Sequence, residues 1–478
     1  MREERELPVG WEWSSIQQTA ETVFGQSPPS SSYNSRGEGL PFFQGKAEFG
    51  ERHPSAEKWC TKPTREAIPG DILISIRAPV GPTNVANQVC AIGRGLAAIR
   101  PLIDPEYVRF WLKRSEQELA QKGTGTTFSA ISKNVLNTHL LPVAPLNEQR
   151  RIVEKIETLF ARLGQGEAAL RHTQTLLARY RQSVLKAAVT GALTADWRAA
   201  NAHRLEHGRD LLARILQTRR ETWQGRGKYK EPTAPDTSNL PELPEGWVWA
   251  TVEQVSGVFR NGLSRQPISE PNDFPILRIS SVRAMNVAVN DLRYYQPSKG
   301  EEVASYWVER GDLLFTRYNG SAHLVGVCGQ MRDRRKVLHP DKLIKLRPVA
   351  LDDLNADYLE VAWNAGVTRK HISSNVKTTS GQQGVAGADI KAAPFPLPPH
   401  QEQSRIAEMV WEAFERISAT LTWCQTELTR SAALRQSILK DAFAGKLVPQ
   451  DPSDEPAAEL LARIRASRPA PVRKKARA

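Results

Sequence analysis

"RQSVLKAAVTGAL" (Arg181–Leu193) and "RQSILKDAFAGKL" (Arg435–Leu447) are nearly the same thirteen residues, set 254 positions apart. The match runs well beyond them. Residues 142–193 align with 396–447 without a gap, sharing Glu148/Glu402, Gln149/Gln403, Arg151/Arg405, Ile152/Ile406, Phe160/Phe414 and Gly191/Gly445. Upstream the match thins to landmarks. "LPVGWEW" (from Leu7) returns as "LPEGWVW" (from Leu243), "GDILIS" (Gly70) as "GDLLFT" (Gly311), "LAAIRP" (Leu96) as "LIKLRP" (Leu343), and Tyr107 as Tyr358. The offset climbs from 236 through 241, 247 and 251, then freezes at 254. Insertions were accepted in one part of each half and excluded from the other. Surface loops tolerate insertions, whereas a helix in register with a partner is rotated by each inserted residue.

The length-locked parts read as long helices. In the first, Ile152, Ile156, Leu159, Leu163, Leu170, Leu177, Val184 and Ala188 form an apolar stripe; Asn147 is the predicted N-cap and Gly191 the stop. The second stripe is Ile406, Val410, Phe414, Ile417, Leu421, Cys424, Leu428, Leu434 and Ile438. Gly164 and Gly166 weaken the first helix by about 1 kcal/mol each relative to alanine. A rod with one apolar face needs a partner, and the other copy supplies one.

The variable parts look mixed. "DILISI" (Asp71–Ile76) and "DLLFT" (Asp312–Thr316) read as buried strands, and 105–122 and 354–372 as helices. The expected fold class is therefore α+β: two globular domains joined by two long helices forming an antiparallel coiled coil with pseudo-two-fold symmetry. The alternative is two amphipathic helices packed separately on their own domains. The predicted boundaries are a first domain 1–145, a long helix 146–196, a central region and linker 197–240, a second domain 241–398, a second long helix 399–447 and a C-terminal segment 448–478 with a basic tail.

Net charge is +13, and residues 147–238 hold much of the excess, with 17 basic against 10 acidic side chains. Arg219, Arg220, Arg226, Lys228 and Lys230 stand out there, as a polyanion or partner contact or as a solvated linker. Four dispersed cysteines form no paired motif, no run of eighteen apolar residues occurs, and the start lacks a signal-peptide core, so a cytoplasmic protein without a membrane partner is expected.

No phosphate loop, dinucleotide fingerprint or nucleophile elbow is present. His203 and His207 are four apart, yet no third ligand stands near; they read as exposed helix residues rather than a metal site. Instead, polar small-residue loops recur at matching places: 77–84 and 123–134 in the first half, 317–323 and 375–389 in the second. Such loops suit phosphates and base edges. A binding protein fits best. A coiled-coil scaffold joining two protein-binding modules, or an enzyme with an unrecognised site, are the rivals.

The paired motifs in this order, LP[VE]GWxW opening each half, EQxRI opening each rod and RQS[VI]LK…GxL closing it, resemble the DNA-specificity (S, HsdS-type) subunit of Type I restriction–modification systems, and "GALTADWR" (Gly191–Arg198) is similar to a central region of that family. The resemblance covers nearly the whole chain. It implies that each variable part is a target-recognition domain reading one half of a split, asymmetric double-stranded DNA target, with the helices setting the unread gap. It implies two modification (methyltransferase) subunits and restriction (translocase/nuclease) subunits as partners. S-adenosylmethionine, ATP and Mg are expected on those partners, and no cofactor, metal or catalysis on this chain. Candidate DNA contacts, chosen on loop chemistry, are Arg77, Asn84, Thr124, Thr126 and Ser129, then Arg317, Asn319, Thr378, Thr379, Ser380 and Gln382.

Overall fold

The computed structural model describes residues 6–124, 129–223, 227–379 and 382–468. In the first half, strands β1 (Glu12–Ser15), β2 (Ala20–Phe24), β3 (Ile72–Ser75), β4 (Thr83–Val85) and β5 (Leu96–Pro101) precede helices α1 (Pro105–Arg114) and α2 (Glu116–Gln121). Strand β6 (Leu140–Val143) leads into the 44-residue helix α3 (Leu146–Val189), and α4 (Gly208–Glu221) follows. The second half repeats the plan with β7 (Val248–Thr251), β8 (Ser256–Asn261), β9 (Leu313–Thr316), β10 (Tyr318–Asn319), β11 (Cys328–Gln330) and β12 (Leu343–Pro348). Then come α5 (Ala356–Asn364), α6 (Gly366–Ser374), β13 (Lys377–Thr379), β14 (Gln382–Gly384), β15 (Pro394–Leu397), the 43-residue α7 (His400–Ala442) and α8 (Ala457–Ser467).

The chain divides into two compact units, Met1–Arg171 with Gln425–Ala478, and His172–Cys424. Each long helix therefore contributes one part to each unit. In the first unit, sheet β2-β5-β3-β4 buries Ile72 and Ile74 against α1, while β1 pairs with β6. Ile152 and Ile156 of α3 share that core with Ile438, Leu439 and Ala442 of α7, with Phe443 just beyond it, and with Leu460, Leu461 and Ile464 of α8. Here the two long helices run antiparallel: Glu167 accepts from Ser431 (2.7 Å) and Arg435 (3.0 Å), and the Arg435 guanidinium lies 4.8 Å from the Phe160 ring. In the second unit, sheet β8-β12-β9-β11 and pair β7-β15 repeat the pattern. Val184, Leu185 and Ala188 of α3 pack with Ile406, Val410, Phe414 and Ile417 of α7, and Arg181 sits 4.2 Å over the Phe414 ring.

Four local expectations are corrected. The helix expected over 105–122 breaks at Ser115, which leaves the helical region at φ −91° and ψ 3° while its N–H and hydroxyl both donate to the Trp111 carbonyl. The helix expected over 354–372 breaks at Ala365–Gly366, where Gly366 takes φ +57°. Asn147 is not the cap: α3 already starts at Leu146, and the Pro145 carbonyl accepts from the Gln149 N–H. Leu434 is 47% exposed, because a polar layer of Glu167, Ser431 and Arg435 takes its place facing the other helix.

The repeated words turn out to be a framework. Trp11 Nε1 donates to Glu148 (3.0 Å), and Trp247 Nε1 to Glu402 (2.8 Å). Gln149 bridges the Asp104 N–H and the Ala144 carbonyl, and Gln403 bridges Asn355 and Pro398 in the same way. Arg100 grips Asp71 through two hydrogen bonds, as Arg347 grips Asp312; each carboxylate raises its arginine's pKa. Tyr107 and Tyr358 each donate to the carbonyl of the strand proline, Pro142 and Pro396. Gly191 and Gly445 end the helices at φ +72° and +68°; a Cβ there would meet Pro244 at 2.5 Å and Pro8 at 2.3 Å, the prolines of the LPxGW motifs.

One further repeat escaped the sequence reading. "LLARI" occurs at Leu211–Ile215 in α4 and at Leu460–Ile464 in α8. Both helices bury their two leucines and isoleucine, and the first N–H of each donates to the LPxGW glycine carbonyl: Gly208 to Gly246 (2.7 Å) and Ala457 to Gly10 (2.9 Å).

Candidate nucleic-acid interface

In each domain the two polar loops are hydrogen-bonded into one small ladder. In the second, β10, β14 and β13 form a three-stranded antiparallel sheet. Its register sets Asn319, Gln383 and Thr378 in one row and Tyr318, Gly384 and Lys377 in the next. Residues directly opposite share a face, so Asn319, Gln383 and Thr378 present two amides and a hydroxyl together. Tyr318 lies flat against Gly384, where an added Cβ would come within 2.4 Å of the ring. In the first domain, Arg77 and Thr124 both bridge to Ala130, and the Ala78 N–H donates to the Ser129 carbonyl at 2.9 Å.

Side chains from neighbouring elements hold the turn beside the second ladder. Arg369 of α6, its pKa lowered by burial, donates to the carbonyls of Val325 (2.7 Å) and His323 (3.0 Å), pinning the turn after β10. Thr316 Oγ1 closes the same turn on Leu324 O at 2.5 Å.

Arg77, Thr124, Thr378 and Gln382 are exposed, and Ser129 and Asn319 are half-buried at the ladders. Thr379 contributes backbone pairing to Gln382; its side chain, with Thr126 and Ser380, lies outside the described residues. Asn84 is corrected: it is 2% exposed, in β4, and its amide donates to the Gly50 carbonyl at 2.9 Å, so it holds a loop rather than facing solvent. Arg77 and Arg317, which open the two matching loops, do not occupy equivalent positions. Ile131 N–H donates to Ile76 O as Val385 N–H donates to Arg317 O, so Arg317 matches buried Ile76 and Tyr318 matches Arg77. A one-residue slip sends a strand side chain to the other face, and Arg317 accordingly keeps a buried, unpartnered Nε. Gln383, whose Oε1 is buried and unpartnered, was missed.

Among the described residues, no group of three His, Cys, Asp or Glu could hold a metal, and no helix is long and apolar enough to cross a membrane. His203 and His207 do not share a helix: His203 lies in a 3₁₀ turn, and His207 caps α4 by accepting from the Arg209 N–H.

Residues 8–169 match the family described as Type I restriction modification DNA specificity domain. The chain is 32% identical over 437 residues to the Type I restriction enzyme EcoKI specificity subunit of Escherichia coli (strain K12), covering 87% of this chain and 84% of that protein. It is 27% identical over 431 residues to the Type I restriction enzyme StySPI specificity subunit of Salmonella potsdam, covering 85% and 83%. A solved HsdS subunit from Thermoanaerobacter tengcongensis is 48% identical, with 32% of this chain and 38% of that one covered and a TM-score of 0.30. The chain belongs to the Type I restriction enzyme specificity subunits.

Proposed function

We propose that this chain gives a Type I restriction–modification complex its DNA sequence specificity, each half reading one part of a bipartite, asymmetric duplex target. The observation that carries this is the pair of ladders: the same framework, built from the repeated residues, presents different side chains. Arg77, Thr124 and Ser129 stand on one ladder and Tyr318, Asn319, Thr378, Gln382 and Gln383 on the other. Amides paired to base edges discriminate by about 1–3 kcal/mol each. The two half-sites therefore differ. The long helices act as an antiparallel coiled-coil spacer between the domains, a reading supported by their antiparallel contacts within each unit. The chain works in the cytoplasm without catalysis of its own, docking two modification subunits and, through the complex, restriction subunits. S-adenosylmethionine, ATP and Mg belong to those partners.

The test is to map methylated adenines in a host carrying this chain and its modification subunit. Asn319→Ala with Gln382→Ala is expected to change the bases specified in one half of the target and leave the other half intact. An unchanged methylated sequence would remove these side chains from the readers.

A further inference from the structure

We propose that a groove in the second unit binds the phosphodiester backbone of duplex DNA. This rests on the DNA-reading function above and adds a site to it. The groove, of about 790 Å³, lies between the end of α4 and β8, the edge strand of its sheet. Arg219, Lys228, Lys230, Arg260, Arg347 and Lys391 line it against a single carboxylate, Glu253. Two of these cations have anionic partners: Arg347 is held by Asp312 and Glu309, and Lys391 faces Glu253 at 3.5 Å. The others do not. Arg219 donates to the Ser256 carbonyl (3.2 Å) and the Tyr229 hydroxyl (3.1 Å), and Arg260 to the Ser305 hydroxyl. Neutral acceptors fix a guanidinium without cancelling its charge. Among the described residues, no ion pair reaches Lys228 or Lys230, both exposed. Trp223, 42% exposed and edge-on to Tyr229, stands among them.

Four uncancelled cations around one groove repel each other unless an anion enters. A phosphodiester chain offers regularly spaced single charges and releases counterions on binding. An acidic protein segment would instead rely on a largely apolar interface core, whereas six cations and one carboxylate stand around this groove. Among the described residues the first domain keeps one element of this arrangement, Arg468 donating to the Ala20 carbonyl at 3.1 Å as Arg219 does to Ser256, and differs along the edge strand. There β2 sets Glu21 opposite Arg100 where β8 sets Val258 opposite Arg347, and Val23 stands where β8 carries Arg260. In the second half, Lys228 and Lys230, in the segment joining α4 to the second domain, bring their charge to this groove.

The experiment uses the full chain assembled with its modification subunits and a duplex oligonucleotide carrying the mapped target, titrated across salt concentrations. The triple variant K228Q/K230Q/R260Q is expected to lower the slope of log affinity against log salt by about 2 to 3, near 0.9 per phosphate contact. Affinity should fall at least tenfold while the methylated sequence stays the same. K228R/K230R/R260K, which keeps the charges, should keep the slope. An unchanged slope in the neutralised variant overturns the proposal; if that variant also sheds the modification subunits, the groove docks protein instead. Should the unaltered complex show no sequence preference at all, the specificity reading fails, and the same slope comparison on an arbitrary duplex still decides the groove.

Discussion

Glu402 is buried with three donors aimed at it: Trp247 Nε1, Thr194 Oγ1 and Arg198 Nη1, at 2.7–2.8 Å. Its repeat partner Glu148 is equally buried, accepts from Trp11, and leaves Oε1 without a hydrogen bond. The cause is in the sequence. Thr194 and Arg198 belong to GALTADWR, and the positions 254 residues on are Val448 and Pro452, which can donate nothing from their side chains. Arg151 turns instead to Asp454 at 2.6 Å. Removing one partner of a buried ion pair costs about 3–5 kcal/mol, and losing a neutral buried hydrogen bond about 1–3 kcal/mol. Glu402→Ala should therefore destabilise the second unit more than Glu148→Ala does the first, measured by urea unfolding. The pH dependence separates the pair further. Burial raises the Glu148 carboxyl above its ordinary value, against the pull of Trp11 and Arg151. The folded state then holds a proton where the unfolded chain has released it. Stability from this group is present at acidic pH and is lost as pH rises from the ordinary carboxylate range through the raised folded pKa. Glu148→Gln should flatten that part of the pH profile; an unaltered profile would place the proton elsewhere.

At the scale of elements, the small sheet of β10, β14 and β13 depends on Gly384, because Tyr318 packs where a side chain would project. Gly384→Ala should push the Tyr318 ring aside and disturb the row beside it. The expected result is loss or change of the bases read by the second domain, with the first half-site unaltered in a methylated-adenine map. A variant that kept the full target would detach Tyr318 from recognition. These elements also show why the site was only partly legible. The loops were found because polar, small-residue stretches follow apolar strands at matching places. Their register was not, because loop composition does not say which residue stands at which rung: both loops open on an arginine, yet the backbone sets Tyr318, not Arg317, at the place of Arg77. Asn84 failed for a related reason, since a polar residue in a short strand can serve a loop carbonyl inside. The scaffold was more legible. Trp11, Asp71, Arg100, Tyr107, Glu148 and Gln149 were conspicuous by repetition, and each makes a bond that its counterpart repeats. The LLARI helices were overlooked because one precedes its domain in the chain and the other follows.

At the scale of the whole molecule, two separate sets of contacts hold α3 and α7 in register. Phe160 and Glu167 meet Arg435 and Ser431 in the first unit, and Arg181 meets Phe414 in the second. Between these sets each helix runs without a break, over residues 168–180 of α3 and 415–430 of α7. That is the physical content of an offset frozen at 254. Seven residues inserted into α3 alone, between Arg171 and His172, add about two turns to one helix and none to the other, so one set of contacts must break. That single insertion should destabilise the chain and abolish specific methylation. Seven matching residues between Cys424 and Gln425 restore both sets, and stability should return with them. The doubled insertion lengthens the proposed spacer by about 10 Å, close to three base pairs at about 3.4 Å each. Methylated-adenine mapping should then show the same two half-sites separated by a longer unread gap. Recovery of stability with the original gap would mean that the helices join the domains without measuring the distance between the sequences they read.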